Sequence, residues 1–183
     1  DVVRIAGEIE RPIAAANELS RLNMDMFGIY GILQKAVSNC PVITAPGTYT
    51  QAQNYTGAPN NASEITADAY ACVKIAASDV VYDCNGSTIT GNGTLGSIQY
   101  GILLNGSLTN VTVMNCPGVS AYNTGIYVYQ SNNSAFSNNT AHDNLEYGFY
   151  LVSSSNNSVT NNWAYNNTID GFYLLTSANN NTI

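Results

Sequence analysis

Four glycines, Gly101, Gly125, Gly148 and Gly171, lie 24, 23 and 23 residues apart, and each opens a related phrase: GILL, GIYV, GFYL and GFYL. A period of this length marks a solenoid, in which each repeat packs only on its neighbours. The Leu and Asn framework of leucine-rich repeats is missing. Helical repeats are excluded by the repeat length and by the abundance of β-branched and turn-forming residues. Read with a period of two, Ile126 and Val128 face one way and Tyr127 and Tyr129 the other. Phe149 with Leu151, Phe172 with Leu174 and Ile102 with Leu104 continue the inward pair. A second short strand is expected after each Asn-Ser turn, with Val111 and Val113 in one coil and Ala135, Val159 and Ile183 in the next three. The turns read SNNS, SNNS and ANNNT. Their side-chain amides bond nearby backbone, tolerate left-handed conformations and can ladder from coil to coil. The pattern specifies an all-β solenoid, a right-handed parallel β-helix with coils about 4.8 Å apart.

The cysteines test that register. Aligning VVYDCNG with VTVMNCPG sets Cys84 over Cys116, and aligning NCPVI with ACVKI sets Cys40 over Cys72; both separations are 32 residues. Stacked strand positions fall within the Cα separation that a disulfide tolerates. The expected bridges are Cys40–Cys72 and Cys84–Cys116, with stacked reduced thiols as the alternative. Asn138 and Asn162 are expected to continue the second column.

The run from NCPVITAPGTYT through ACVKIAASDVVYDCNGSTITGNG to GIYVYQSNNS resembles the parallel β-helix repeat proteins of the pectin-lyase-like superfamily. The likeness is greatest to the Asn-rich cell-surface proteins of archaea and covers roughly residues 40–183. For activity the resemblance implies only a range, because that superfamily contains lyases, hydrolases, adhesins and structural surface proteins.

Residues 1–39 are different material. They hold every Arg and no N-x-S/T sequon. Ile5, Ile9, Ala16, Leu19, Met26, Ile29, Tyr30, Leu33 and Val37 recur at three- and four-residue steps, which predicts an N-terminal α-helical segment. Such an amphipathic helix either caps the first coil or reaches a neighbouring subunit as an assembly arm. Two regions are therefore expected: residues 1–39, and a β-helix over 40–183.

Charge narrows the function classes. Charged residues make up 9% of the chain and the formal net charge is −7. Beyond residue 40 the only Lys or Arg is Lys74, against Glu64, Asp68, Asp79, Asp83, Asp143, Glu146 and Asp170. A phosphate backbone would find almost no cationic partner, so nucleic-acid binding is not expected. No apolar run approaches the roughly 20 residues that span a bilayer. The chain begins with Asp1, as a processed secreted protein or a fragment would. Four cysteines and eleven sequons, at Asn54, Asn61, Asn85, Asn92, Asn105, Asn110, Asn132, Asn138, Asn156, Asn166 and Asn180, point to an extracellular or cell-surface glycoprotein.

Candidate chemistry is sparse. Lys74 is the one possible base in the repeat body for a polysaccharide lyase; its ordinary reading is a solvated surface lysine. Asp143 and Glu146 are near enough in HDNLEYG to cooperate as a glycosidase pair, yet they read as loop residues. His142, Met24, Met26 and Met114 give no metal constellation. No catalytic residue, metal or cofactor is expected. One surface feature stands out. Tyr127, Tyr150 and Tyr173, preceded by Leu103, occupy one outward position in consecutive coils and form an aromatic stripe. It can stabilise an exposed sheet, bind neutral sugar rings, or contact another subunit. The last coil stops in mid-repeat, and Phe172, Leu174 and Ile183 form its apolar end. The expected remedy is a further copy of the chain, whose first coil or N-terminal segment covers that end; a piece cut from a longer β-helix is the alternative. The reading is a structural subunit of an extracellular filament or surface layer, a homopolymer assembling head to tail. The alternative is a carbohydrate-binding adhesin or a polysaccharide-degrading enzyme of the same fold.

Overall fold

The computed structural model describes residues 34–37, 39–93 and 97–183. The expected N-terminal helix lies outside them except at its end. There the backbone of Gln34–Val37 forms a strand, paired in parallel with Thr48–Gln51. Val37, the last position of the helical periodicity, is thus in the first strand of the solenoid. An in-register neighbour satisfies four residues of backbone at once, which outweighs a weak local helical pattern.

Each coil turns through three short strands rather than the two expected. The first sheet stacks Gln34–Val37, Gly47–Gln51, Val80–Asp83, Val111–Met114, Ala135–Ser137 and Ser158–Thr160. The second stacks Tyr55–Thr56, Ile89–Thr90, Val119–Ser120, Thr140–His142 and Trp163–Tyr165. The third stacks Val42–Ile43, Ala69–Ile75, Ile98–Asn105, Thr124–Tyr129, Tyr147–Val152 and Asp170–Leu175. Neighbours along every stack are parallel. Among the described residues the one antiparallel pairing sets Asn60–Asn61 against Tyr70–Ala71 in a side hairpin. Strands of the second sheet have two or three residues and turn a single side chain inward, too short for an alternation to show in the sequence.

The core is a set of columns. Val73, Ile102, Ile126, Phe149 and Phe172 stack in register, as do Ile75, Leu104, Val128, Leu151 and Leu174. The Phe149 and Phe172 rings stack with centroids 4.8 Å apart. In the first sheet Tyr49, Tyr82, Val113, Phe136 and Val159 form the matching column. The expected inward residue Ala135 is therefore displaced by Phe136, which is fully buried. Ala135 pairs with Thr112 and Ser158 on the outer face. The sequence stretch SAFS permits either phase, and the larger apolar side chain takes the interior.

The phase-setting glycine has a steric cause. A Cβ on Gly148 would lie 2.6 Å from the Gly171 carbonyl oxygen and 2.8 Å from Asn167 Nδ2. On Gly125 it would lie 2.9 Å from both the Gly148 oxygen and Asn144 Nδ2. The third sheet begins where one coil's backbone runs against the next, and any side chain there would separate them.

Candidate functional site

The corners carry most of the polar chemistry. Cys40 and Cys72 are bridged, as are Cys84 and Cys116, with Cα separations of 4.7 and 4.8 Å. Each bridge joins one coil to the next, at the spacing expected of stacked strands.

The Cys84–Cys116 column continues through Asn139 and Asn162, not Asn138. Asn139 Oδ1 accepts the Cys116 N–H at 3.2 Å and its Nδ2 donates to the Val113 carbonyl at 2.9 Å. One coil further, Asn162 Oδ1 accepts the Asn139 N–H and its Nδ2 donates to the Phe136 carbonyl. Asn138 takes the left-handed turn position, φ 56°, and is exposed. In Asn138–Asn139 and Asn161–Asn162 the first residue makes the bend and the second turns inward. Two adjacent identical residues hide that division in the sequence. Asn144 and Asn167 repeat the device at the next corner, on the Tyr122 N–H and the Val119 carbonyl, then on the Asn144 N–H and the Ala141 carbonyl. Ser134, Asn157 and Asn181 repeat it at the third, each accepting the N–H of the residue below: Val111, Ser134 and Asn157. Buried amides of this kind are stable because both ends are satisfied.

The aromatic stripe is in register: Lys74, Leu103, Tyr127, Tyr150 and Tyr173 are successive partners. Ring centroids are 5.0 Å apart for Tyr127–Tyr150 and 5.2 Å for Tyr150–Tyr173. Two tyrosines that the sequence reading missed widen it. Tyr100 stacks on Tyr127 at 4.8 Å, and Tyr147 stacks on Tyr173 at 5.0 Å with 9° between planes. Both pairs within the stripe are tilted, with 31° between planes. Tyr127 is only 7% exposed, a correction to its expected surface position. A second apolar cluster of Ala62, Ala69, Ala71, Tyr100, Leu103 and Tyr127 packs outside the third sheet, with Ile65 at its margin. Burial pushes the Tyr127 phenol up to about 12, and neighbouring Tyr150 and Tyr129 add to the shift.

Lys74 is not a solvated lysine. Its Nζ pairs with Glu64 and donates to the Asn61 carbonyl at 2.9 Å, so it pins the hairpin over the stripe. Glu64 also accepts from Asn105 Nδ2 at 2.8 Å. Burial raises the Glu64 carboxyl, but the Lys74 hydrogen bond and charge and the Asn105 contact together hold it below its ordinary value. Spacing along the chain gives no sign of a contact between loop residue Glu64 and strand residue Lys74.

The remaining candidates have separate partners. Asp143 Oδ2 bonds His142 Nδ1 at 2.7 Å, and that contact lowers its pKa. The His142 ring stacks on Tyr165 at 5.0 Å. Glu146 Oε1 accepts from Asn123 Nδ2 at 3.1 Å. Asp83 Oδ1 accepts the Asn85 N–H and an amide proton of Asn115. Asp170 pairs in register with Tyr147 and is exposed. Among the described residues no group of three or more His, Cys, Asp or Glu could hold a metal ion. Met114 is half-buried; Met24 and Met26 lie outside the described residues. An open cavity of about 510 Å³ beside Cys40 is lined by Asn39, Gln53, Asn54, Tyr55 and Asn60, with no carboxylate. Asn60 Nδ2 there donates to the Cys40 carbonyl at 3.1 Å. No helix among the described residues is long and apolar enough to cross a membrane.

Phe172 and Leu174 are half-buried on the Phe149 and Leu151 column, and Ile183 is 60% exposed. The sequons fall on corners and strand ends, and nine of the eleven Asn residues are exposed; Asn105 and Asn132 are half-buried.

No curated protein and no solved structure matches the chain. A family model described as the right-handed β-helix region matches residues 60–183, more than half of the chain. Its span covers the coils built from the Gly-led strands and the corner ladders, and on that evidence the chain belongs to the right-handed β-helix family.

Proposed function

We propose that the chain is a structural component of the cell exterior, a rigid β-helical rod that assembles with further copies into an extracellular filament or surface layer. The observation that supports it is where the polar side chains go. Asn139, Asn144, Asn157, Asn162 and Asn167 all spend their amides on the coil beneath, rather than converging on a cleft. A solenoid of this kind is quasi-one-dimensional, so an axial contact between copies propagates and does not close. Two coil-to-coil disulfides suit an oxidising exterior.

The rival enzymatic reading rests on Asp143 and Glu146, whose partners differ: His142 for one, Asn123 for the other. The adhesin reading rests on the tyrosine stripe, in which Tyr127 is only 7% exposed and successive ring centroids lie 5.0 and 5.2 Å apart.

Electron microscopy of native, undigested material tests the proposal. Regular fibres or sheets are the expected result; monomers or small closed oligomers at high concentration overturn it. In parallel, the Asp143→Asn/Glu146→Gln variant should assemble as the parent does. If instead the parent turns over a neutral glycan and the variant does not, the protein is an enzyme.

A further inference from the structure

The eleven sequons share a tripeptide but not a structural situation. Asn132 Oδ1 accepts the Ser155 N–H at 2.7 Å, and the hydroxyl of its sequon partner Ser134 is buried, accepting the Val111 N–H and donating to the Asn132 carbonyl. Asn105 is half-buried, with Nδ2 donating to Glu64 Oε1 at 2.8 Å. At Asn110, Asn138 and Asn166 the exposed amide is held by Asp79, Asn115 and Asp143 respectively. Asn54 and Asn61 use Oδ1 to accept the backbone N–H of Thr88 and Ser63. Three are different. Asn85, Asn156 and Asn180 are exposed, sit at left-handed corners with φ 49°, 58° and 54°, and their side chains make no hydrogen bond among the described residues. Ser158 and Thr182, the hydroxyl residues of the last two, are exposed; Ser87, that of the first, is half-exposed.

We propose that Asn85, Asn156 and Asn180 are sites of N-glycosylation, and that Asn105 and Asn132 are structural amides left unmodified. The inference rests on the extracellular reading above. The donor is a saccharide linked through its anomeric carbon to a lipid phosphate or pyrophosphate. The asparagine Nδ2 forms a bond to that carbon, the carbon–oxygen bond to the lipid phosphate breaks, and the phosphate leaves with the electron pair. The amide loses one proton. A glycosylated amide keeps one N–H and its carbonyl, so a corner residue with no other duty accepts the change without loss. At Asn132 the transferase would have to pull out an amide that holds the next coil and read a hydroxyl that is buried.

Glycopeptide mass spectrometry of the whole chain, secreted from a host with such a transferase, tests this. Saccharide is expected at Asn85, Asn156 and Asn180 and absent at Asn105 and Asn132. Modification of Asn105 or Asn132, or bare Asn85, Asn156 and Asn180, overturns the proposal. Two variants check the assignment independently. Asn156→Gln should lose one saccharide mass with its melting temperature unchanged. Asn132→Gln should keep its full mass and melt lower. A secreted chain with no saccharide overturns this inference alone, because the rod proposal is judged by micrographs.

Discussion

The coils over residues 40–116 and those over 119–183 solve one problem in two ways. At a single corner column, Cys84 and Cys116 are joined covalently, and Asn139 and Asn162 then carry on the column through hydrogen bonds. The early coils are irregular: 32 residues separate each bridged pair, and they accommodate the hairpin of Asn60–Asn61. The later coils recur every 23 or 24 residues, so an amide in one finds a backbone group in its neighbour. The difference teaches that a run of buried amides builds up where the repeat is regular, whereas a disulfide needs only two positions in reach. A covalent link stabilises where loops interrupt the repeat.

The largest expected effect tests that division. The Cys84→Ser/Cys116→Ser variant should lose about 2–4 kcal/mol in denaturant unfolding, with the loss of hydrogen-exchange protection concentrated before residue 119. Cys84→Ser with Cys116→Asn carries the later solution into the early coils, and it should recover part of that stability. No recovery would mean that the early backbone is out of register for an amide ladder.

Next in size is Asn139→Ala. It leaves the Cys116 N–H and the Val113 carbonyl unpaired, at about 1–3 kcal/mol for each buried group. Neighbouring Asn138→Gly, at an exposed left-handed position, should stay within about 0.5 kcal/mol by the same measurement. Equal effects at the two positions would break the assignment of bend and ladder. Gly148→Ala should cost about 1–3 kcal/mol by forcing adjacent coils apart, again read in denaturant melts.

Alkali tests burial in both regions. Tyr100, Tyr122 and Tyr127 have pKa values raised chiefly by burial. Below the ordinary tyrosine pKa both folded and unfolded chains are protonated, and stability is flat. Above it the unfolded chain releases protons that the folded chain retains, so stability falls as pH rises towards the folded value, about 12 for Tyr127. Thermal melts from pH 9 upward should show the fall. The smallest change expected is Tyr150→Phe, within about 0.5 kcal/mol because the stack is kept, against about 0.5–1.5 kcal/mol for lost stacking in Tyr150→Ala.

Much was legible in advance, for identifiable reasons. Ile126 with Val128 and Phe149 with Leu151 recur at one phase of one period, and the structure stacks them in register. The cysteine pairs followed from the same alignment. Ala135 and Asn138 were each misplaced by one residue, because SAFS and NN leave the phase locally undecided. The third strand of each coil was too short to announce itself.

The sequence by itself determined the repeat, the inward columns, the bridges and the acidic, nearly lysine-free coils, since these depend on what recurs and at what interval. Only the tertiary structure decided which Asn of a pair bends and which bonds, that Lys74 meets Glu64, and that Tyr127 lies under a hairpin. Each of those depends on what the neighbouring coil or loop presents at that point, and a residue's own neighbours in the chain do not carry that information.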